Sequence, residues 1–462
     1  LEAASDSVSR SHAGRTIVCV LDISYSMDDR ATMHGDEEGA AGLSLLDIVK
    51  HATRTVIDTL EPHDRLGVVV YSCSASVLYP IQNMTVQNKA AAWNSVRALS
   101  TTGQTNLWDG LLSALELCNT ASVAHANILL LTDGQPNIGP PRGHVPSLRQ
   151  YLEKHPDRSV EISTFGFGYN MASRLLHDLA AEGGGCYSFI PDSSFVGTCF
   201  VNAVANILAT ALSSSTLVLE SLDGSSLYAD FNGLACTPTE TGITLRLPAM
   251  PYGQPKTILA VLTPPKGALT PPSSARVRAY LKYGNNKRTA AVESRYCGPG
   301  SDGERFLLEQ RARLQTVKLI RLSEARIHKN EGSADVLNQN EGSADALASV
   351  QQSVEIMLEE VEGSVATGQR SSAFTALLED VKGQITQAYS RMDWHRRWGR
   401  HYLPSLARAH AIQQCTNFKD PGLQAYAGAK FCSVRDFSEA IFLKLPPPTP
   451  SLRPFLPVDD LQ

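Results

Sequence analysis

The stretch "VCVLDISYSMDD", residues 18–29, decides the fold. It runs from an apolar strand straight into a polar, acidic knot in which Asp22, Ser24 and Ser26 take alternate positions. In an extended chain residues i, i+2 and i+4 project the same way, so the alternation predicts three oxygen side chains on one side of a strand end. A strand that ends in this manner has given up packing for a polar task.

Outward from that knot, "TIVCVLD" is joined by "RLGVVVYS", "NILLLTD" and "VEISTFGFG", all nearly continuous β-branched and Leu runs. Such runs suit strands covered on both faces of a parallel sheet. Helical patterns lie between them. In "SLLDIVKHATRTVIDTL", Leu46, Val49, Thr53, Val56, Ile57 and Leu60 form one stripe, and Ser44 with Asp47 predicts a capping box. "NLWDGLLSALELC", "SLRQYLEKH", "ASRLLHDLAAEGGG" and "SFVGTCFVNAVANILATAL" follow the same logic, with the run from Gly183 to Gly185 as a helix stop. Residues 14–212 therefore read as a doubly wound α/β domain.

Past residue 212 the pattern changes. "STLVLESL", "GITLRLPAM", "KTILAVLTPP" and "ARVRAYLKYG" are strand-like and separated by Gly- and Pro-rich turns, which predicts a small antiparallel β-sandwich over 213–300. Helical periodicity governs 301–400. Within it "NEGSADVLNQ" (330–339) is nearly repeated as "NEGSADALAS" (340–349), which suits a linker expansion or a polar helix start; two copies are too few for a solenoid. A docking segment (401–445) and a polyproline-like tail (446–462, with "LPPPTPSLRPFLP") complete the layout, and residues 1–13 form an N-terminal tail. The opening "LEAASDSVSR" lacks Met and suits a processed or truncated start.

The 462 residues exceed one ordinary core. A net charge of -5 argues against a general grip on nucleic acid. The segment from Arg391 to His401, rich in Arg and holding Trp394 and Trp398, accordingly reads as a helix end that packs its Trp inward and solvates its Arg. No apolar run approaches the roughly 18 residues of a membrane span. Nine dispersed cysteines without a CxxC pair exclude a zinc ribbon and read as reduced and intracellular, in the cytoplasm, although the sequon at Asn83 points the other way. "GFGYNM" (166–171) lacks the third Gly of a dinucleotide fingerprint and reads as a turn. His51 and His177 fall within helical patterns and read as surface or core residues.

Ligands of a doubly wound sheet bind outside the carboxyl ends of its strands. Three motifs fall there: Asp22-x-Ser24-x-Ser26; Thr105 within "TTGQTNLWDG"; and Asp133 in "LLLTDGQPN". Each alone would pass for loop capping, where Ser and Asp are common. Together they offer two carboxylates and three hydroxyls, a set suited to a hard divalent ion such as Mg²⁺ or Ca²⁺. With only two formal negatives, an ion held there keeps the capacity to accept a carboxylate from a partner.

D-x-S-x-S, a distant Thr and a distant Asp in a "TDG" turn resemble the metal-ion-dependent adhesion site of von Willebrand factor type A domains. The resemblance covers residues 14–212. It implies a mostly parallel six-stranded sheet and one ion (Mg²⁺, with Ca²⁺ or Mn²⁺ as substitutes) on Asp22, Ser24, Ser26, Thr105 and Asp133. The hydroxyls would touch the ion more directly and the aspartates through water. It also implies a scaffold module that binds an acidic residue of a protein partner within a larger assembly, not a small-molecule substrate. Tyr25 stands between the serines, as in integrin β subunits. Asp28 and Asp29 resemble the adjacent metal site of those subunits but lie one residue closer to Ser26, so Tyr25, Asp28 and Asp29 are assigned to partner contact and no second metal is. Longer strings, such as "GGGCYSFIPDSSFVGTCFVNAVANILA" and "NFKDPGLQAYAGAKFCSVRDF", resemble intracellular proteins of fungi, protists and plants in which this domain precedes a β-rich and helical extension, often with a RING, U-box or Hint module. The chain itself has no RING cysteine spacing and no trace of a U-box. The expectation is therefore a binding protein and not an enzyme. Its rivals are the substrate-binding part of a ubiquitin ligase and a metal-dependent hydrolase. For the latter Asp109 is the one nameable base, and it serves equally as a helix first-turn residue.

Overall fold

The computed structural model describes residues 14–31, 42–156, 158–228, 234, 236–265, 276–284, 287–295, 297–332 and 339–451. The N-terminal tail, residues 333–338 within the first copy of the near-duplication and most of the Pro-rich tail lie outside the described residues.

Twelve elements alternate through the first part: β1 (Thr16–Asp22), α1 (Leu45–Thr59), β2 (Arg65–Tyr71), β3 (Ala75–Asn83), α2 (Val86–Arg97), α3 (Leu107–Thr120), β4 (His125–Thr132), α4 (His144–Lys154), β5 (Ser159–Phe167), α5 (Ser173–Glu182), β6 (Gly184–Ile190) and α6 (Val196–Leu208). The sheet order is β3-β2-β1-β4-β5-β6, all parallel except the edge strand β3. Every residue of β1 is buried, as a strand between two neighbours and two helical layers must be. Alternate side chains serve opposite cores. Ile17, Cys19 and Leu21 pack with α1 and α6, while Val18 and Val20 pack with α3 and α5. The Ser44–Asp47 capping box forms as the sequence suggested. The order reverses between β1 and β4, which sets a crevice at their carboxyl ends.

Several local expectations differ. Only Gly183 acts as the stop of α5; Gly184 already opens β6. The helix expected to reach residue 212 ends at Leu208, and β7 (Thr210–Leu212) pairs instead with a later strand.

The next region holds β8 (Ser215–Ser221), β9 (Ser226–Tyr228), β10 (Cys236–Pro238), β11 (Gly242–Leu247), β12 (Met250–Pro251), β13 (Val261–Thr263), β14 (Val277–Tyr283), β15 (Lys287–Arg288) and β16 (Val292–Glu293). Its antiparallel sheet runs β10-β11-β8-β14-β15, with small β7–β12 and β9–β13 pairs beside it, over a core of Leu217, Leu245 and Leu281. "KTILAVLTPP" yields only three strand residues. Its first half is spent elsewhere: the Thr257 N–H and C=O both bond the side chain of Gln413, so they cannot join a ladder.

Helices follow: α7 (Asp302–Gly332), α8 (Gln339–Ser364), α9 (Ser372–Asp380), α10 (Thr386–Ser390), α11 (Met392–Trp394), α12 (Arg400–Ile412), α13 (Pro421–Gln424) and α14 (Ala429–Phe442). Short π-helical turns at 381–385 and 395–399 link α9 to α10 and α11 to α12. Trp398 is half-buried against the helical core, while Arg391 pairs with Asp393 at the surface. Two helices return to the first sheet. α12 covers its β6 edge, where Ser405 Oγ donates to the Tyr187 carbonyl (2.9 Å) and Arg408 Nε to the Gly185 carbonyl (2.8 Å). That cover removes an exposed strand edge. α14 buries Phe431 and Val434 in the α1/α6 core. No described helix is long and apolar enough to cross a membrane.

Candidate metal centre

Asp22 closes β1 and is completely buried. Its Oδ1 accepts the Ser24 N–H (2.9 Å), and its Oδ2 accepts the hydroxyls of Thr132 (2.6 Å) and Tyr71 (3.1 Å). Parallel register sets Tyr71 directly beside Asp22. Gly110 makes the approach possible: a Cβ there would stand 2.5 Å from the Tyr71 ring, so any larger residue on α3 would push the phenol aside.

The chain does not continue extended. Ser24 is extended, but Tyr25–Asp28 form a turn of 3₁₀-helix. Leaving a central strand, the backbone must find partners as it crosses the sheet end, and it does so locally: Met27 N–H bonds the Ser24 carbonyl and Asp29 N–H the Ser26 carbonyl. The strand-type alternation of Asp22, Ser24 and Ser26 is thus replaced by a turn that gathers them. Ser24 Oγ lies 3.2 Å from Ser26 Oγ, and Ser26 Oγ donates to Asp133 Oδ1 at 3.0 Å.

Thr105 lies in the adjoining loop, and its backbone bonds run to Asn137 and Ile138. The Tyr25 N–H bonds the Gly103 carbonyl and the Thr102 N–H the Ile23 carbonyl, tying the second loop to the first. On the other side the Thr105 N–H bonds Asn137 Oδ1 (2.9 Å), and its carbonyl accepts the N–H groups of Asn137 and Ile138. Thr105 and Asp133 are buried, as is Ser24, whereas Ser26 is exposed. Gly134, at φ +78°, turns the chain just after Asp133. The cluster is therefore a recess at the β1/β4 crevice, open on the Ser26 side.

Burial raises the pKa of Asp133 to about 6, with the Asp22 charge adding to the effect and the Ser26 hydroxyl opposing it. Burial raises Asp22 as well, against hydrogen bonds from Ser24, Thr132 and Tyr71. Two desolvated carboxylates in one recess are costly without a counter-charge, and a cation between them would relieve that cost. The available atoms are all hard oxygens. Carboxylates and hydroxyls fit an oxygen-loving ion and not a soft one, although among the described residues no group of three or more His, Cys, Asp or Glu side chains could hold a metal.

The rim residues are spread out. Tyr25 is 67% exposed; Asp28 accepts the Thr101 hydroxyl (2.6 Å); Asp29 faces a neighbouring groove. Asp109 is occupied in the first turn of α3, where its Oδ2 accepts the Ala75 N–H (2.6 Å) and holds the β2–β3 turn. Tyr71, Thr132 and Asn137 escaped the sequence reading. Thr132 adjoins Asp133 in "LLLTDG" and was within reach of it; Tyr71 required the strand register.

Comparison with known proteins bears on the fold. Residues 16–199 match the sequence model "von Willebrand factor type A domain", and residues 371–440 match "VWA / Hh protein intein-like". Inter-alpha-trypsin inhibitor heavy chain H4 of Homo sapiens is 25% identical over 188 residues, 38% of this chain and 20% of that protein. Uncharacterized protein sll0103 of Synechocystis is 29% identical over 191 residues, 40% of this chain and 43% of that protein. The chain thus covers well under two thirds of these curated relatives. The solved von Willebrand factor type A protein from Catenulispora acidiphila superposes with a TM-score of 0.59 over 86% of this chain and 89% of its own, at 16% identity, a likeness of fold. The six-stranded sheet and its helices are a von Willebrand A fold.

Proposed function

We propose that Asp22, Ser24, Ser26, Thr105 and Asp133 hold one divalent cation, Mg²⁺ with Ca²⁺ or Mn²⁺ as substitutes, and that this centre binds an acidic side chain of a protein partner. The observation that carries the reading is the contact of Ser26 Oγ with both Ser24 Oγ and Asp133 Oδ1, beside the buried Asp22. A bound ion would supply a Lewis-acidic position for a carboxylate. The chain's own residues do the rest. Tyr71 and Thr132 orient Asp22, Asn137 holds Thr105, and Tyr25, Asp28 and Asp29 offer a rim for the partner. The sheet and helices beyond residue 212 would orient the domain in a larger assembly. Nine free cysteines suit a reducing, intracellular setting.

The hydrolase alternative finds no support in Asp109, whose carboxylate is committed to the Ala75 amide. A role as the substrate-binding part of a ubiquitin ligase is compatible with the same binding centre. The test is Asp22→Ala beside wild type, with and without EDTA, in a thermal-shift assay and in pull-down from the source. Mg²⁺-dependent stabilisation and partner capture should vanish together. Partner capture that survives both EDTA and Asp22→Ala would replace the metal centre with a purely protein interface.

A further inference from the structure

Beside the centre runs a groove lined by Leu45, Ile48, Asp133, Phe167, Tyr169 and Ile190, with Asp29, Arg30 and Asp192 at its polar side. Leu45 and Ile48 belong to the first turn of α1, so the groove and the candidate centre share Asp133 as a wall. The C-terminal part of the chain is led to this place. α14 packs beside α1, with the Phe442 ring edge-on to His51 at 5.1 Å. From there the chain runs back along α1 toward its N-terminus. Ser451, the last described residue, is fastened there: its N–H (2.9 Å) and hydroxyl (2.7 Å) both donate to Asp47 Oδ2, and its Oγ lies 3.0 Å from Ser44 Oγ. These bonds add a second function to the capping box of α1.

After Ser451 the sequence reads "LRPFLPVDD", residues 452–460. Its composition is complementary to the groove. Phe455 and Leu456 suit the apolar walls of Phe167, Ile190, Leu45 and Ile48, and Arg453 suits Asp29 or Asp192. Asp459 and Asp460 supply the carboxylate that the centre is proposed to accept. Eight residues separate Ser451 from Asp459, an extended reach of about 26–29 Å. A groove whose wall begins at Leu45, two residues from Asp47, lies within that reach. The anchor also raises the effective concentration of the segment at the groove to the order of millimolar.

We propose that residues 452–460 are an internal ligand of this groove, bringing Asp459 or Asp460 to the Asp22–Ser24–Ser26–Thr105–Asp133 centre, so that an acidic partner binds by displacing the chain's own tail. This rests on the metal reading given above. Because the anchor is on α1, the competition is local and requires no rearrangement of the sheet.

The test uses the full chain as wild type, Asp459→Asn/Asp460→Asn, Ser451→Pro and Asp22→Ala. Free Mn²⁺ is followed by electron paramagnetic resonance. Binding of a fluorescent peptide of residues 452–460, added in trans with Mg²⁺, is followed by anisotropy. Losing the internal carboxylate should weaken Mn²⁺ binding roughly tenfold, since ligand charge sets affinity at such sites. The double variant should bind the peptide in trans at least tenfold more tightly than wild type, because its own tail no longer competes. Ser451→Pro, which lacks both donors to Asp47, should lie between them. If wild type and the double variant bind Mn²⁺ and peptide alike while Asp22→Ala loses Mn²⁺, the internal ligand is refuted and the metal centre stands. If wild type fails to bind Mn²⁺ at all, the metal reading falls and the internal ligand with it.

Discussion

Two polar clusters of this molecule treat buried charge differently. At the β1/β4 crevice Asp22 and Asp133 are acidic, desolvated and opposed only by hydroxyls and amides. At the junction of α12 with the rest of the chain the buried cations meet backbone carbonyls. Lys256 Nζ donates to the carbonyls of Ile412 and Gln413, Arg313 to those of His410 (2.7 Å) and Thr257 (3.3 Å), and Gln254 to that of Gln413 (2.7 Å). Apart from that of Thr257, these carbonyls are at the C-terminal end of α12, and cations are favoured at that end of the helix dipole. Gln413, in the left-handed region at φ +53°, stops the helix and spends its side chain on Thr257. The basic cluster is met by backbone carbonyls, with the buried Glu161 carboxylate as a further counter-charge to Lys256 and Arg408. The acidic one is met by hydroxyl and amide donors and opens to solvent through Ser26. The same cost of burial thus marks a structural joint in one place and a candidate binding centre in the other.

The largest effect should come from breaking the joint. Arg408→Met leaves the Gly185 carbonyl without its donor and removes a buried positive charge, at a cost of about 3 kcal/mol or more, read by urea unfolding. Mn²⁺ binding by the folded fraction should not change. Loss of Mn²⁺ affinity in proportion would mean that the two clusters are one cooperative unit.

A somewhat smaller effect is expected from acid. His401, buried where α12 meets α5 and bonded to the Ser173 hydroxyl, has its pKa lowered to about 4, chiefly by burial. Between about pH 6.5 and 4 the unfolded chain binds a proton at this residue that the folded chain refuses. Stability is therefore complete above about pH 6.5 and falls as pH drops toward 4, by up to about 3 kcal/mol. His401→Gln should flatten that part of the stability–pH curve. An unchanged slope would remove His401 from the acid response of the joint.

The smallest effect sharpens the comparison from the other side. Asp109→Asn weakens the bond to the Ala75 amide and should cost about 1 kcal/mol, with Mn²⁺ affinity unaltered. A marked fall in Mn²⁺ affinity would put Asp109 into the centre and reopen the hydrolase question.

Most of the first sheet was legible because each strand and helix carries its own period. "TIVCVLD" and "NILLLTD" suit buried strands, Ser44 with Asp47 suits a helix start, and all three form. Strand β3 was not legible: "ASVLYPIQN" has its burial at Tyr79 alone of nine residues, since it is an edge strand with one face in solvent. The site was readable as a set of oxygen-bearing motifs, yet its gathering mechanism was not. Alternation suggested a strand, whereas the chain uses a 3₁₀ turn because a backbone leaving a central strand must satisfy its own amides.

By itself the sequence determined the alternating α/β pattern and the antiparallel and helical stretches after it, and it singled out five oxygen-bearing candidates at a strand end and in the loops that follow strands or precede a helix. These are local properties: periodicity, turn chemistry and residue type act over a few positions. Only the tertiary structure decided that Tyr71 and Thr132 hold Asp22, that α12 seals β6 with Arg408, and that Ser451 returns to the first turn of α1. Those contacts join residues tens to hundreds of positions apart. They follow from which surfaces remain unpaired once the elements have formed, and that is a property of the assembled fold.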